Sequence, residues 1–502
     1  MACRFVVVSV IHLLIWITIR EARADDRVAL AVLVDIAVQR SPQLAIARAD
    51  HDEGRHRITS AGAVDDWHVL GKATAAESVV DRSLAAPGDA ITSRSVAGEL
   101  GILRSLSTGA SIEALVDLAS ERHLYRSFAT TSQIGTQQTD FPIAGTIARA
   151  KLVASQPLAR GRGSAVARAA QKSARLDARA LSAKGVDEAA TTVRDLAIAY
   201  WELAYLAEQL AVDRDGETLA IKQAEITREV VRNGLQPPSA AKIAELKLAL
   251  HRDAILRDRA AIVDQSLAMR RLVGLELVAT PLVPADELAV PTTEWTESEA
   301  IDAALAHGPG MAELGFTRRV ADVAVDVASD ARVPRLDASL AAELSGVGSS
   351  ADRAFAELGR AQMYSLIGGV TMQWDIGGSA RAGQAAARVH RARLDAEHKD
   401  LEAKMTAAVL SSVRRQQLAR QRVQVSQIAV DVAADALHAE VVAFQAGRST
   451  NVAVFQREDD VSDAKLRLAR ARIDAIEASI DLDYLTGSLL RRFGVTLARS
   501  MQ

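Results

Sequence analysis

Two hydrophobic rhythms alternate along this chain, and each appears twice in the same order. The first has period 2. From Tyr364 to Ile376 the even positions Tyr364, Leu366, Gly368, Val370, Met372, Trp374 and Ile376 alternate with Ser365, Thr371, Gln373 and Asp375, as in a strand with two unlike faces. Leu336 to Leu344 repeats the pattern and predicts its partner. Trp67 to Val80 and Ile147 to Leu158 form a weaker earlier pair, and Val96–Leu106 with Ala110–Leu118 reads as an extra hairpin turning at Ser107-Thr108-Gly109. The second rhythm is helical. Ser164 to Arg232 and Ala380 to Ala446 run 69 and 67 residues without proline. At 1.5 Å per residue each predicts a rod of about 100 Å. Val193, Leu196, Tyr200, Leu203, Ala207 and Leu210 are spaced as a coiled-coil seam. Shorter returns follow at Ser239–Val273 and Val452–Thr486, and the segments Val28–Thr59 and Ser298–Asp330 supply further short helices.

The two halves align on three anchors. Arg40-Ser41-Pro42 answers His307-Gly308-Pro309, Ala174-Arg175-Leu176-Asp177-Ala178 answers Ala392-Arg393-Leu394-Asp395-Ala396, and Leu272-Val273-Gly274 answers Leu485-Thr486-Gly487. From the turn glycine to the closing glycine is 40 positions in both, Gly234 to Gly274 and Gly447 to Gly487. Such spacing predicts an internal duplication. The expected organisation is a first repeat over 25–274, a linker over 275–297, a second repeat over 298–490 and a tail over 491–502. The long hairpins occupy 164–273 and 380–486.

The N-terminus changes the setting. Arg4 precedes an apolar run from Phe5 to Ile19, and Ala22-Arg23-Ala24 places small residues where a secretory leader is cut. Residues 1–24 are expected to be removed, with cleavage between Ala24 and Asp25. The only cysteine, Cys3, leaves with them. No later apolar run reaches the ~18 residues of a spanning helix, so a membrane crossing would require a closed β-barrel. Tyr364 and Trp374 stand about 33 Å apart along one strand. Tilted by ~45°, that projects to roughly 23 Å, near the ~25 Å apolar band of such barrels. A half-buried soluble sheet shares the same alternation.

The composition carries no catalytic signature. A formal charge of -3 provides no basic stripe for nucleic acid. His-Glu-x-x-His, Gly-x-Ser-x-Gly and cysteine pairs are missing, and Gly378 to Gly383 fails as a phosphate loop because Gln384 replaces lysine. The expectation is no enzyme, no cofactor and no metal. The ten histidines are scattered singly, and Glu458-Asp459-Asp460 reads as a solvated helix face.

Taken in order, Ser41-Pro42-Gln43-Leu44, Ser155-Gln156-Pro157-Leu158-Ala159-Arg160-Gly161, Gln373-Trp374-Asp375-Ile376-Gly377-Gly378 and the two hairpin turns resemble the TolC-like outer membrane efflux proteins. The resemblance covers nearly all of the chain after the leader. It implies a mainly α fold with a β-barrel portion. Duplicated helical hairpins form a coiled-coil tunnel, and about four strands per protomer, or six with the extra hairpin, enter a barrel shared by a homotrimer. It implies outer-membrane localisation, with the protein reaching into the periplasm. The implied role is a duct of a tripartite efflux or type I secretion system, served by a periplasmic adaptor and an inner-membrane pump of RND, ABC or MFS type. It assigns the turns, Gly234 and Leu235 with Gly447, Arg448, Ser449 and Thr450, to the adaptor-docking tip, and Tyr364 and Trp374 to the lipid interface. One departure stands out: the aspartates usual after the second turn correspond to Ala453 and Gln456. The competing reading is a periplasmic coiled-coil adaptor or scaffold, which ordinarily carries one hairpin rather than two.

Overall fold

The structure, a computed structural model, describes residues 27–81, 86, 88–131, 135–234, 237–292 and 295–495, with side chains outside 127–139. The leader with Ala24 and Asp25, the turn residue Leu235 and the tail beyond 495 lie outside the described residues. The chain divides into two units. One combines residues up to 53 with 180–315 and 396 onward, and the other combines 54–179 with 316–395.

The first unit is helical. Helices α1 (Leu30–Arg40) and α2 (Pro42–Gly62) open the chain; α3 (Ala169–Arg232) and α4 (Pro238–Val273) form the first long hairpin. Its core gathers Leu33 and Val34 of α1, Val193, Leu196, Tyr200 and Leu203 of α3, and Met269 and Val273 of α4, all nearly inaccessible. The predicted 3–4 seam is therefore the packed stripe, and each fully buried Leu or Val there contributes about 1.5–3 kcal/mol. Gly185 and Gly216 do not break α3, which is continuous over 64 residues. Gly216 has a packing reason: a Cβ there would stand 2.6 Å from the His251 ring on α4. That ring is mostly buried and lies 3.6 Å from Asp213, so His251 is not the solvated residue its charged neighbours suggest. The helix expected from Ser164 instead begins at Ala169, after a separate turn over Ser164–Ala167.

The second repeat supplies α5 (Glu297–His307), α6 (Met311–Asp330), and later α8 (Ser379–Gln445) and α9 (Asn451–Leu485). Thr296 caps α5 in a reciprocal box with Glu299. One glycine contact occurs in both halves of the chain. Gly274 (φ +80°) ends α4 with its Cα against the Arg40 carbonyl, where a Cβ would approach to 2.2 Å. Gly487 (φ +69°) meets the His307 carbonyl in the same way, at 2.4 Å. Only glycine combines that backbone with that approach.

The second unit is built on a sheet. Its strands are β1 (Trp67–Val79), β2 (Ala90–Ser105), β3 (Ser111–Thr131), β4 (Gly135–Pro157), β5 (Arg335–Gly348) and β6 (Met363–Gln373). They pair antiparallel in the order β1-β2-β3-β4-β5-β6. The extra hairpin is longer than its alternating cores indicate and lies within this sheet, between β1 and β4. The strand expected from Ile147 starts at Gly135. A helix not foreseen, α7 (Ala351–Gly359), crosses β4 and β5, against Gly346 and Gly348. Among the described residues no single helix is long and apolar enough to cross a membrane.

Candidate functional site

Register sorts the sheet into two chemically opposite faces. One row across it reads Val69, Ile102, Ala114, Leu152, Ala342, Leu366, and the next reads Gly71, Leu100, Val116, Ala150, Leu344, Tyr364. Not one member is polar except the Tyr364 hydroxyl. These rows line an open trough of about 1020 Å³. Leu100, Tyr364 and Leu366 are 69%, 77% and 68% exposed, far from the environment such side chains occupy in water. The opposite face carries Lys72, Glu99, Asp117 and Arg149 in one row, with Glu343 beside them. Arg149 bridges Asp117 at 3.2 Å and Glu343 at 3.9 Å. Sequence reasoning did not single out this charged row, although the same alternation that marks the apolar positions also points to it.

The turns at the closed ends of the hairpins have a different character. After α8, Gly447 (φ +67°) donates its N–H to the Phe444 carbonyl, and Arg448 N–H reaches back to Ala443 at 2.8 Å. This paired closure ends the helix with a left-handed glycine. Ser449 hydrogen-bonds Glu440, and Thr450 caps α9 by accepting from Ala453 N–H. Gly234 (φ +74°) closes α3, and Pro238 begins α4. Gly234, Gly447, Arg448 and Thr450 are exposed, and no atom lies near the missing Cβ of either glycine. Just behind the turns the two hairpins are joined by a polar trio in which Asn451 and Thr227 are buried: Gln223 donates to Asn451 at 2.6 Å, and Asn451 donates to Thr227 at 2.6 Å.

The acidic run after the second turn is not a free solvated face. Asp459 pairs with Lys247 of α4, and Asp460 with Arg457. Burial pushes the Glu458 carboxyl up, with Lys247 opposing. Ala453 and Gln456 bring no charge to the turn.

Residues 300–488 match the model of the family described as outer membrane efflux protein. The match falls on the second half of the chain. Solved structures extend the likeness in fold to most of the chain. The outer membrane protein VceC of Vibrio cholerae is 18% identical, with a TM-score of 0.66 over 91% of this chain and 96% of its own. The CmeC outer membrane channel of Campylobacter jejuni is 11% identical, with a TM-score of 0.65 over 94% and 89%. The open-state MtrE channel of Neisseria gonorrhoeae is 14% identical, with a TM-score of 0.61 over 94% and 94%. No curated protein matches the chain in sequence. Within this outer membrane efflux protein fold, Tyr364 sits on the apolar face of β6. Trp374 falls one residue past the strand's end, so the expected aromatic pair does not share one strand. Trp67, at the start of β1 and stacked under Arg104 at 5.2 Å, is an aromatic of the same apolar face.

Proposed function

We propose that this protein is the outer-membrane duct of a tripartite efflux or type I secretion system, conducting solute passively. The observation that carries the reading is the sheet: the rows from Val69 to Leu366 and from Gly71 to Tyr364 are apolar across all six strands, the other face carries the charged row Lys72, Glu99, Asp117 and Arg149, and both sheet edges are unpaired among the described residues. In water such a surface is a liability. In a membrane it is the wall of a barrel, lipid outside and water inside. A chain of six strands closes no barrel alone, since the smallest known have ~8, so copies must combine. A homotrimer is the assembly we propose. The leader, cut between Ala24 and Asp25, would deliver the chain to the periplasm.

The turns are proposed as the docking tip for a periplasmic adaptor, through Gly234, Leu235, Gly447, Arg448, Ser449 and Thr450, with an inner-membrane pump supplying energy. The exposed glycine turns support this, because they offer a surface that their own fold leaves uncovered. Fractionation tests the duct: a heat-modifiable trimer should appear in the outer membrane and need detergent for release, and a soluble periplasmic monomer would overturn the reading. For docking, Arg448→Glu and Gly447→Trp should each impair export at normal trimer level. Export unchanged in both would remove the assignment.

A further inference from the structure

The inserted hairpin β2–β3 alters the wall itself. If it lay outside a barrel, β1 would pair with β4, and the faces of β2 and β3 would follow a different environment. Neither holds. β1 pairs with β2 along its whole length, Trp67↔Arg104 to Val79↔Thr92, and β3 pairs with β4 from Ser111↔Ser155 upward. The hairpin also keeps the two-faced code of its neighbours. Val96, Leu100 and Ile102 of β2 and Ile112, Val116 and Leu118 of β3 lie in the apolar rows. Glu99 and Asp117 lie in the charged one. A one-residue slip would have reversed every one of these positions.

The edges are equally informative. β1 and β6 are the outer strands, of 13 and 11 residues, and nearly every residue on both is exposed. In an antiparallel sheet with an even number of strands the two outer strands run in opposite directions. The β6 edge of one copy can therefore accept the β1 edge of another as an ordinary antiparallel ladder, apolar face continuous with apolar face. Within hydrocarbon, each backbone group left unpaired at those edges would cost several kcal/mol, so closure is required rather than optional.

We propose that three copies close a barrel to which each contributes all six strands, eighteen in total, with β1 of one copy paired to β6 of the next. This rests on the trimeric duct proposed above and adds its calibre. Barrel diameter grows in step with strand number. With strands ~4.8 Å apart and tilted ~40–45°, eighteen give a backbone diameter of about 37 Å, and twelve would give about 25 Å. Eighteen is the class whose interior side chains leave an aqueous channel open. Lys72, Glu99, Asp117, Arg149 and Glu343 of each copy line that channel as a charged belt, contributed by β1, β2, β3, β4 and β5. α7, lying across the apolar face at the Gly346 end, occupies the level where an interfacial helix rests.

The only cysteine is Cys3 in the leader, so an introduced thiol is unique in the processed chain. Two single variants on β2 decide the matter, Ala97→Cys on the polar face and Leu100→Cys on the apolar face, each in trimers purified and returned to liposomes. A membrane-impermeant maleimide should label the Ala97→Cys trimer at least tenfold faster than the Leu100→Cys trimer, whose lipid-facing thiol stays protonated and unreactive until the trimer is unfolded in detergent. Electron micrographs should show a barrel section of about 37 Å. Equal aqueous labelling in an intact trimer, or a section near 25 Å, overturns the eighteen-strand wall and leaves the duct standing. Failure to find any trimer strikes at the duct reading instead.

Discussion

Tyr200 fastens the start of the chain and the linker between the repeats onto α3, and its hydroxyl can be removed without changing the shape of the core. Its ring is 1% exposed. The oxygen accepts N–H groups from Ala285 and Asp286, both at 3.1 Å, and its proton goes to the Val28 carbonyl at 3.1 Å. That saturates a phenol. Burial pushes its pKa up to about 12, so the proton is held throughout the working range. The three partners sit where Arg27–Val28 pairs with Val283–Pro284, and Asp286 in turn receives Leu30 N–H at 2.8 Å. Tyr200→Phe takes the partner from Asp286 N–H, while Ala285 N–H and the Val28 carbonyl keep only their 3.2 Å bond to each other. At about 1–3 kcal/mol for a buried group left unpaired and less where water enters, the loss should total about 1–3 kcal/mol. Equilibrium denaturation of the detergent-solubilised protein measures the total, and amide hydrogen exchange locates it. A loss under about 0.5 kcal/mol, with exchange at Ala285 and Asp286 unchanged, would refute the argument that these bonds are unreplaced by water.

Two further perturbations test the packing and the electrostatics. Gly274→Ala and Gly487→Ala should each cost at least about 2 kcal/mol, from left-handed strain plus a Cβ driven into a carbonyl, whereas Gly383→Ala, in the open interior of α8, should gain up to about 1 kcal/mol; thermal melts of the three variants rank them, and equal effects would contradict the geometry. Glu477 has its pKa raised to about 7 by burial, against the pull of Arg470. The folded state thus keeps a proton that the unfolded chain sheds, and stability should fall as pH rises from about 4.5 to 7. Glu477→Gln should flatten that slope in denaturation curves taken between pH 5 and 8, and an unchanged slope would place the proton elsewhere.

What the sequence revealed was whatever a local period could carry. The β6 alternation from Tyr364 to Met372 and the seam from Val193 to Leu210 are one-dimensional signals, and the folded chain uses both. The anchor Arg40-Ser41-Pro42 with Gly274, repeated as His307-Gly308-Pro309 with Gly487, was legible because each glycine must meet the backbone just before its repeat's short helix breaks. Other features depend on partners distant in sequence. Gly216 lies inside the unbroken α3 because the His251 ring, thirty-five positions on, fills the space a side chain would take. Glu458 and Asp459 looked solvated because Lys247 stands more than two hundred residues away. The upper part of β3, Ser120-Glu121-Arg122-His123, has no apolar member to mark a strand, yet it pairs with β4 rung by rung. The two hairpin turns were legible because Gly234 and Gly447, both at positive φ, stand where proline-free runs end.

β3 and β4 remain zipped to Thr131↔Gly135, whereas β5 stops at Gly348 opposite Thr146. The ribbon therefore overshoots its neighbour by eleven rungs, about 36 Å of strand. Around a threefold axis three such ribbons would rise beyond the lipid as a crown. In that proposed assembly the crown would meet antibodies and phage on an intact cell.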